Sequence, residues 1–145
     1  MLLTLLLSAA LASGASAAAA EAAPFPFDPA QLAGSWIDSV STSPACEVDR
    51  ARFRMQLSDD NKQLTMFSDR TWNTALGVTN RFSATVVAAT RNTLTIRYHN
   101  EARRTKDGKL AEWELAIVAP GVFRWREADW MQGKVNSVVG IRCAP

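Results

Sequence analysis

Apolar and polar residues alternate in a series of short runs, and this pattern constrains the fold more than any other feature of the chain. In one run Phe53, Met55 and Leu57 alternate with arginine and glutamine, and similar alternation recurs further along. A period of two places the apolar side chains on one face of a β-strand. The predicted strands lie at about 34–40, 52–57, 63–68, 81–88, 93–99, 109–118, 122–126 and 137–143.

The connections between these runs are short and contain turn-forming residues. Ser58-Asp59-Asp60-Asn61 and Pro120-Gly121 predict tight turns, and Asp107-Gly108 predicts a hairpin between antiparallel neighbours. No convincing amphipathic helix is present among the runs. We therefore predict an all-β fold, an antiparallel up-and-down β-barrel of about eight strands, because closure removes the exposed sheet edges. A two-sheet β-sandwich is the alternative.

The segment before the barrel pattern has a different composition. An apolar block at residues 2–7 is followed by small residues, which predicts a secretory signal peptide over residues 1–20. The apolar run is shorter than the ~20 residues that span a bilayer. We expect a periplasmic or secreted protein without a membrane anchor. Three prolines predict an extended arm at residues 21–31, and residues 32–145 form a single barrel domain.

The chain contains two cysteines, Cys46 and Cys143. In an exported protein we expect them to form a disulfide, which closes a loop of about 100 residues. In a simple eight-strand meander they lie at opposite ends, roughly 20 Å apart, whereas bonded cysteines have Cα atoms within about 7 Å. Either residues 41–45 fold back along the barrel wall, or an extra strand at residues 71–76 brings the chain end to the other rim.

Five tryptophans are present, and several of them lie on inward-facing positions of the predicted strands. A barrel of about eight strands either fills its interior with such side chains or holds one small ligand. The ligand would be apolar or flat, and an inward arginine would be able to hold a carboxylate on it. Trp72 and Trp130 instead fall in predicted loops, where they either contact another protein or cap the barrel. The candidate ligand contacts are Trp113, Trp125, Tyr98 and Phe123.

Charge and residue content argue against several other functions. The net charge is +2, and interspersed basic and acidic residues do not form the basic surface that nucleic acid requires. The single histidine, His99, is on the outward face of its run, and paired cysteines leave too few ligands for zinc. Glu112 and Glu114 share the outward face of a strand, and Asp59-Asp60-Asn61 lacks the closing glutamate of a calcium loop. We expect no enzymatic activity, metal or cofactor.

The first run begins with Gly34-Ser35-Trp36, which resembles the Gly-x-Trp signature of lipocalins and related calycin barrels. The resemblance implies a small barrel over residues 32–143 in which Trp36 closes one end and an arginine of the last strand packs over it. Arg142 matches that arginine by position, with Arg124 and Arg126 as alternatives. It also implies binding of a small apolar ligand, and we expect a monomer.

A second similarity covers a shorter segment. Leu32-Ala33-Gly34-Ser35-Trp36, followed by Pro44-Ala45-Cys46, is similar to the start of bacterial inhibitors of secreted zinc metalloproteases. In those inhibitors the arm before the barrel enters the protease cleft, which implies such a role for residues 21–29. Their second cysteine follows soon after the first, whereas here it is Cys143. Two partner classes therefore stay open, a small apolar molecule and an exported protein such as a protease.

Overall fold

The computed structural model describes residues 24–38, 46, 52–74, 77–131 and 138–143, so the predicted signal peptide lies outside these ranges. Eight β-strands form one closed antiparallel barrel in which sequence neighbours pair and the last strand returns to the first. The prediction of an all-β up-and-down barrel is confirmed, and the sandwich is excluded. The strands are β1 (Trp36–Asp38), β2 (Phe53–Leu57), β3 (Gln63–Thr74), β4 (Gly77–Ala89), β5 (Thr93–Tyr98), β6 (Trp113–Ala119), β7 (Val122–Glu127) and β8 (Val138–Arg142).

Strands β3 and β4 contain 12 and 13 residues and extend well beyond the runs that predicted them. Residues 71–74, proposed as part of an extra strand, instead continue β3, where Trp72 pairs with Thr79. The pairing register shifts between Phe67 and Trp72, and such an irregularity breaks the two-residue alternation. The alternating pattern therefore predicted too short a strand β3. The suggestion that an extra strand at residues 71–76 brings Cys143 close to Cys46 is wrong, because residues 71–74 belong to β3.

The barrel has two different ends because successive strands run in opposite directions. A 3₁₀ helix at Pro29–Leu32 precedes β1 and shares one end with the turns after β2, β4 and β6. Its Gln31 side chain donates a hydrogen bond to the carbonyl of Arg91 in the turn after β4, at 3.1 Å. We call this the closed end. The connections after β1, β3, β5 and β7 lie at the opposite end, which we call the open end.

Part of the predicted arm belongs to the closed end. Asp28 caps the 3₁₀ helix by accepting a hydrogen bond from the backbone N–H of Ala30 at 2.9 Å, and Pro29 begins that helix. Phe27 is 1% exposed, and Phe25 packs against the same core. Residues 29–31 of the predicted extended arm are therefore helical, which corrects that prediction, and burial of Phe27 depends on tertiary contacts that a local pattern does not reveal.

Trp36 fills the interior at the closed end. Its side chain is 0% exposed, and its indole N–H donates a hydrogen bond to the Leu32 carbonyl at 2.9 Å. Arg142 lies directly opposite Trp36 in the pairing of β1 with β8, with its guanidinium carbon 4.8 Å from the centre of the indole ring. The guanidinium also donates a hydrogen bond to the Gln31 carbonyl at 2.6 Å, so one side chain joins the last strand to the 3₁₀ helix.

Two glycines allow this close packing. Gly34 has a φ of +99°, and a Cβ there would lie 3.3 Å from Cδ of Arg142. Gly140 faces the interior of the barrel, where a Cβ would come within 1.9 Å of the Phe123 ring. Because a larger residue at Gly140 would overlap that ring, the glycine makes room for the aromatic side chain beside Trp36.

The disulfide joins Cys46 to Cys143 with Cα atoms 5.4 Å apart, which confirms the predicted pairing. The backbone N–H of Cys143 donates to the carbonyl of Ser35 at 2.8 Å, so Cys143 lies at the closed end. The bond to Cys143 places Cys46 at the closed end as well. The predicted fold-back at residues 41–45 lies outside the described residues.

Candidate ligand-binding site

The inward face of the barrel has a packed part and an accessible part. Leu94 and Leu115 face each other in β5 and β6, and both are 0% exposed. Tyr98, Trp113 and Trp125 also face inward, but they lie nearer the open end and are each partly exposed. The three aromatic residues toward the open end are therefore less completely buried than the aliphatic side chains of Leu94 and Leu115.

Tyr98, Trp113 and Trp125 form a group that we call the aromatic cluster. Tyr98 ends β5, Trp113 begins β6, and Trp125 lies near the end of β7, so the strand directions place all three toward the open end. The ring centres of the two tryptophans are 6.3 Å apart with 18° between their planes. The Tyr98 ring centre lies 6.1 Å from that of Trp125 and 6.5 Å from that of Trp113. Such distances are typical of favourable aromatic contacts.

Phe123, the fourth predicted ligand contact, is not part of this cluster. Its ring centre lies 5.4 Å from that of Trp36 and 6.0 Å from that of Phe53, and it is 2% exposed. The two-residue period identified its inward face correctly but carries no information on its height along the barrel axis. Phe123 therefore belongs to the packed interior at the closed end.

Two charged residues in the connection after β5 hold Trp113 in place, and sequence reasoning missed both. The Glu101 carboxylate accepts a hydrogen bond from the Trp113 indole N–H at 3.0 Å and from the Arg103 guanidinium at 2.8 Å. The guanidinium carbon of Arg103 lies 4.4 Å from the centre of the Trp113 ring. We call Glu101 and Arg103 the clamp. The Glu-x-Arg spacing was its only sequence signal, and such spacing is ordinary in an exposed loop.

The Glu101 carboxylate is stabilised in its ionised form. Burial opposes ionisation, since the side chain is 3% exposed, but hydrogen bonds from Arg103 and Trp113 outweigh this effect and hold its pKa at about 2. Because this pKa is lower than the ordinary value of 4.5, the carboxylate stabilises the folded state above about pH 4.5. That contribution is lost as the pH falls from 4.5 through about 2.

A Glu101→Gln substitution is expected to lower the free energy of unfolding by about 1–3 kcal/mol at neutral pH, because the charge-assisted hydrogen bonds are weakened. It should also make stability less dependent on pH between 4.5 and about 2. Urea unfolding at several pH values measures both effects. Asp59→Asn, in the exposed turn after β2, is the matched control. An acid dependence of Glu101→Gln identical to that of the wild type would contradict the role of the clamp.

Asp38 also lies on the inward face near the open end. It follows Trp36 by two residues in β1 and pairs with Gly140, which faces the interior. Its side chain is exposed to solvent, yet burial by surrounding protein raises its pKa. Burial also raises the pKa of Tyr98, and the negative charge of Asp38 raises it further. The pairing with Gly140 places Asp38 on the inward face where β1 ends toward the open end, and its charge is close enough to Tyr98 to raise the pKa of that phenol.

Glu112 and Glu114, the carboxylates predicted to share an outward face, lie on the outer surface. Glu112 forms an ion pair with Arg97 at 3.5 Å. Glu114 contacts Arg126 at 2.7 Å and Arg124 at 3.9 Å. Each carboxylate is therefore matched by an arginine on the outward face. The two arginines that were alternatives to Arg142 contact Glu114, whereas Arg142 lies over the tryptophan at the closed end.

His99 is exposed, as its outward position predicted, and its Nε2 lies 3.3 Å from the hydroxyl of Thr85. Within residues 24–38, 46, 52–74, 77–131 and 138–143, no three histidine, cysteine or acidic side chains come together in a way that would hold a metal ion. The same ranges contain no helix with the length and apolar character needed to span a membrane.

The two tryptophans assigned to loops have different surroundings. Trp72 lies in β3 and is 49% exposed, and its indole N–H donates to the Ser68 hydroxyl at 3.2 Å. Val78, on the opposite strand of the same hairpin, is 69% exposed. Trp130 follows β7 and is partly buried, with the guanidinium carbon of Arg126 at 5.2 Å from its ring centre. The hairpin of β3 and β4 thus presents apolar surface to solvent.

Comparisons of the chain with protein-family models, with curated proteins and with solved structures found no match. The strand order and the side-chain contacts show a closed eight-stranded barrel with a packed closed end and a partly exposed aromatic cluster toward the open end.

Proposed function

We propose that this protein is an exported, lipocalin-like barrel that binds a small ligand with a flat apolar group at its open end. The observation that carries the proposal is the contrast between the fully buried aliphatic interior and the partly exposed aromatic cluster. Removal of apolar surface from water is favourable by about 25 cal/mol per Å². A ligand that covers the rings gains this free energy, and the clamp holds one ring ready for contact.

The closed end supports a lipocalin-like architecture. Gly34-Ser35-Trp36 begins the first strand, and Arg142 packs over the tryptophan at 4.8 Å. The 3₁₀ helix covers this end, with Leu32 buried against the core. Because the closed end is filled by side chains, a ligand enters and leaves through the open end.

The proposal predicts that Trp113→Ala and Trp125→Ala each weaken binding of a flat neutral probe by at least about fivefold, since truncation of a buried aromatic contact costs more than about 1 kcal/mol. A suitable probe is N-phenyl-1-naphthylamine, whose fluorescence increases in an apolar environment. Fluorescence titration of each folded variant gives the dissociation constant. A micromolar to millimolar range is expected, from about 0.3 kcal/mol for each non-hydrogen atom of the probe.

Trp72→Ala is the matched control, because Trp72 is exposed on the β3–β4 hairpin and no ring contact joins it to the cluster among the described residues. Its affinity for the probe should stay within about twofold of the wild type. Far-ultraviolet circular dichroism establishes that each variant is folded. Absence of probe binding by the wild type, or equal affinities for all three variants, would refute the ligand-binding proposal.

A second candidate function is contact with another exported protein, such as a secreted protease. The exposed side chains of Trp72 and Val78 favour it, since tryptophan is common at the centres of protein interfaces. Phe25 and Phe27 pack against the barrel core, so they are not free to enter a protease cleft. If the protein inhibits a protease through an arm, that arm has to precede Phe25. Trp72→Ala is expected to weaken a protein contact without affecting the aromatic cluster.

A further inference from the structure

One carboxylate on the inward face of the barrel has no partner among the residues that the structure describes. Asp38 accepts no hydrogen bond and makes no ion pair with any residue that the structure describes. It faces the interior from β1, and its charge acts on Tyr98. An exposed inward-facing carboxylate without a partner among the described residues is available to a group on the ligand.

The other charges near the cluster are already paired. Arg103 contacts Glu101 at 2.8 Å and Glu127 at 4.0 Å, and Glu127 lies opposite Trp113 in the pairing of β6 with β7. Among the described residues around the cluster, Asp38 and these two glutamates therefore face a single guanidinium. The summed charge of these described groups is negative when all three carboxylates are ionised. A ligand carboxylate would be repelled, because the arginine that would hold it already has two acidic partners.

The rings of the cluster suit a positive charge. The face of a tryptophan or tyrosine ring attracts a cation placed within about 6 Å of its centre. Arg103 already makes such a contact with Trp113, with its guanidinium carbon 4.4 Å from the ring centre. Tyr98 and Trp125 are partly exposed and have no cation of this chain over their rings among the described contacts. They offer the same kind of contact to a cation from outside.

We propose that the ligand is an organic cation, with a flat apolar group against the aromatic cluster and a protonated amine or quaternary ammonium group near Asp38. This inference rests on the proposed function and specifies the chemical class of the ligand. Asp38 supplies the countercharge, and the rings supply both apolar contact and attraction for the cation. A charged contact of this kind should favour the cation over an equally shaped neutral molecule by about tenfold to a hundredfold.

Three probes of matched size test the charge preference: 2-phenylethylammonium, 2-phenylethanol and phenylacetate. Isothermal titration calorimetry on the full mature chain, at neutral pH and low ionic strength, gives their affinities. The ammonium is expected to bind at least about tenfold more tightly than the alcohol, and phenylacetate least tightly. Asp38→Asn should bring the affinity for the ammonium close to that for the alcohol while changing the latter by less than about twofold.

Two further variants serve as controls. Asp38→Glu keeps the negative charge and should retain the preference for the ammonium. Asp59→Asn makes the same charge change in the exposed turn after β2, at the closed end, and should leave all affinities unchanged. The Asp38 side chain has no partner among the described residues, so its replacement by asparagine should not unfold the barrel.

The possible outcomes separate the two proposals. Equal affinities of the wild type for ammonium and alcohol, or an ammonium affinity that Asp38→Asn does not change, would refute the organic-cation inference. The ligand-binding proposal would stand in that case if Trp113→Ala still weakened binding of the alcohol. Failure of all three probes and of N-phenyl-1-naphthylamine to bind would refute both. Tighter binding of phenylacetate than of the ammonium would reverse the proposed charge preference.

Discussion

Replacement of both cysteines by alanine is expected to lower the free energy of unfolding by about 4–5 kcal/mol, the largest single effect of any change considered. The bonded residues are 97 positions apart, so the bond restricts the unfolded chain over most of the barrel. It also joins the connection after β1 to the end of β8 at the closed end. Alanine is preferable to serine because Cys143 is 5% exposed, and a buried hydroxyl would add a second effect.

Urea unfolding of the Cys46→Ala, Cys143→Ala double variant, compared with the oxidised and the reduced wild type, measures this loss. The reduced wild type should be nearly as unstable as the double variant, because both lack the same restriction. A loss below about 1 kcal/mol would show that the disulfide contributes little to the closed end, contrary to what the chain-entropy argument requires.

Trp36→Ala is expected to cost about 3–5 kcal/mol, the range for truncation of a large buried aromatic side chain. Trp36 is 0% exposed and packs against Phe123, so truncation leaves a cavity in the filled part of the barrel. The Leu32 carbonyl would lose its hydrogen bond from the indole, and Arg142 would lose the ring beneath its guanidinium.

Trp36→Phe keeps an aromatic ring and removes the N–H donor, so a smaller loss of about 1–2 kcal/mol is expected. Trp72→Ala removes an exposed tryptophan and should change stability by less than about 1 kcal/mol. Thermal and urea unfolding of the three variants give this order. Equal destabilisation by Trp36→Ala and Trp72→Ala would contradict the role of Trp36 in closing the barrel.

The barrel itself was predictable because the two-residue period reports directly on the inward and outward faces of a strand. Leu94 and Ile96 followed this pattern and are fully buried. The pattern failed where the chain departs from regular pairing, as in β3, whose register shifts before Trp72. It also missed burial of Phe27, since that residue packs through the 3₁₀-helix segment at the closed end and not through strand alternation.

The candidate site was predictable only in part. Tyr98, Trp113 and Trp125 could be identified from their inward positions, but whether they meet depends on strand direction and stagger around the barrel. Strand direction and stagger also decide the height of Phe123, which lies against Trp36 at the closed end of the interior. The clamp could not be predicted because it depends on how the connection after β5 folds over Trp113.

Asp38 was overlooked for a different reason. It ends the short strand β1, where a polar residue ordinarily indicates that a strand reaches solvent. Only the pairing with β8 shows that its side chain shares the inward face with Trp36. An acidic residue at an inward position, without a partner among the described residues, is therefore a feature of the three-dimensional structure, and it separates the organic-cation inference from the expectation of a purely apolar ligand.

The most direct test of ligand binding at the open end is a nuclear magnetic resonance titration of the indole N–H groups of the five tryptophans with 2-phenylethylammonium. The resonances of Trp113 and Trp125 should shift with a common dissociation constant, whereas that of Trp36, buried at the closed end, should not. Shifts confined to Trp72 or Trp130, or no shift at any tryptophan, would contradict a binding site at the aromatic cluster.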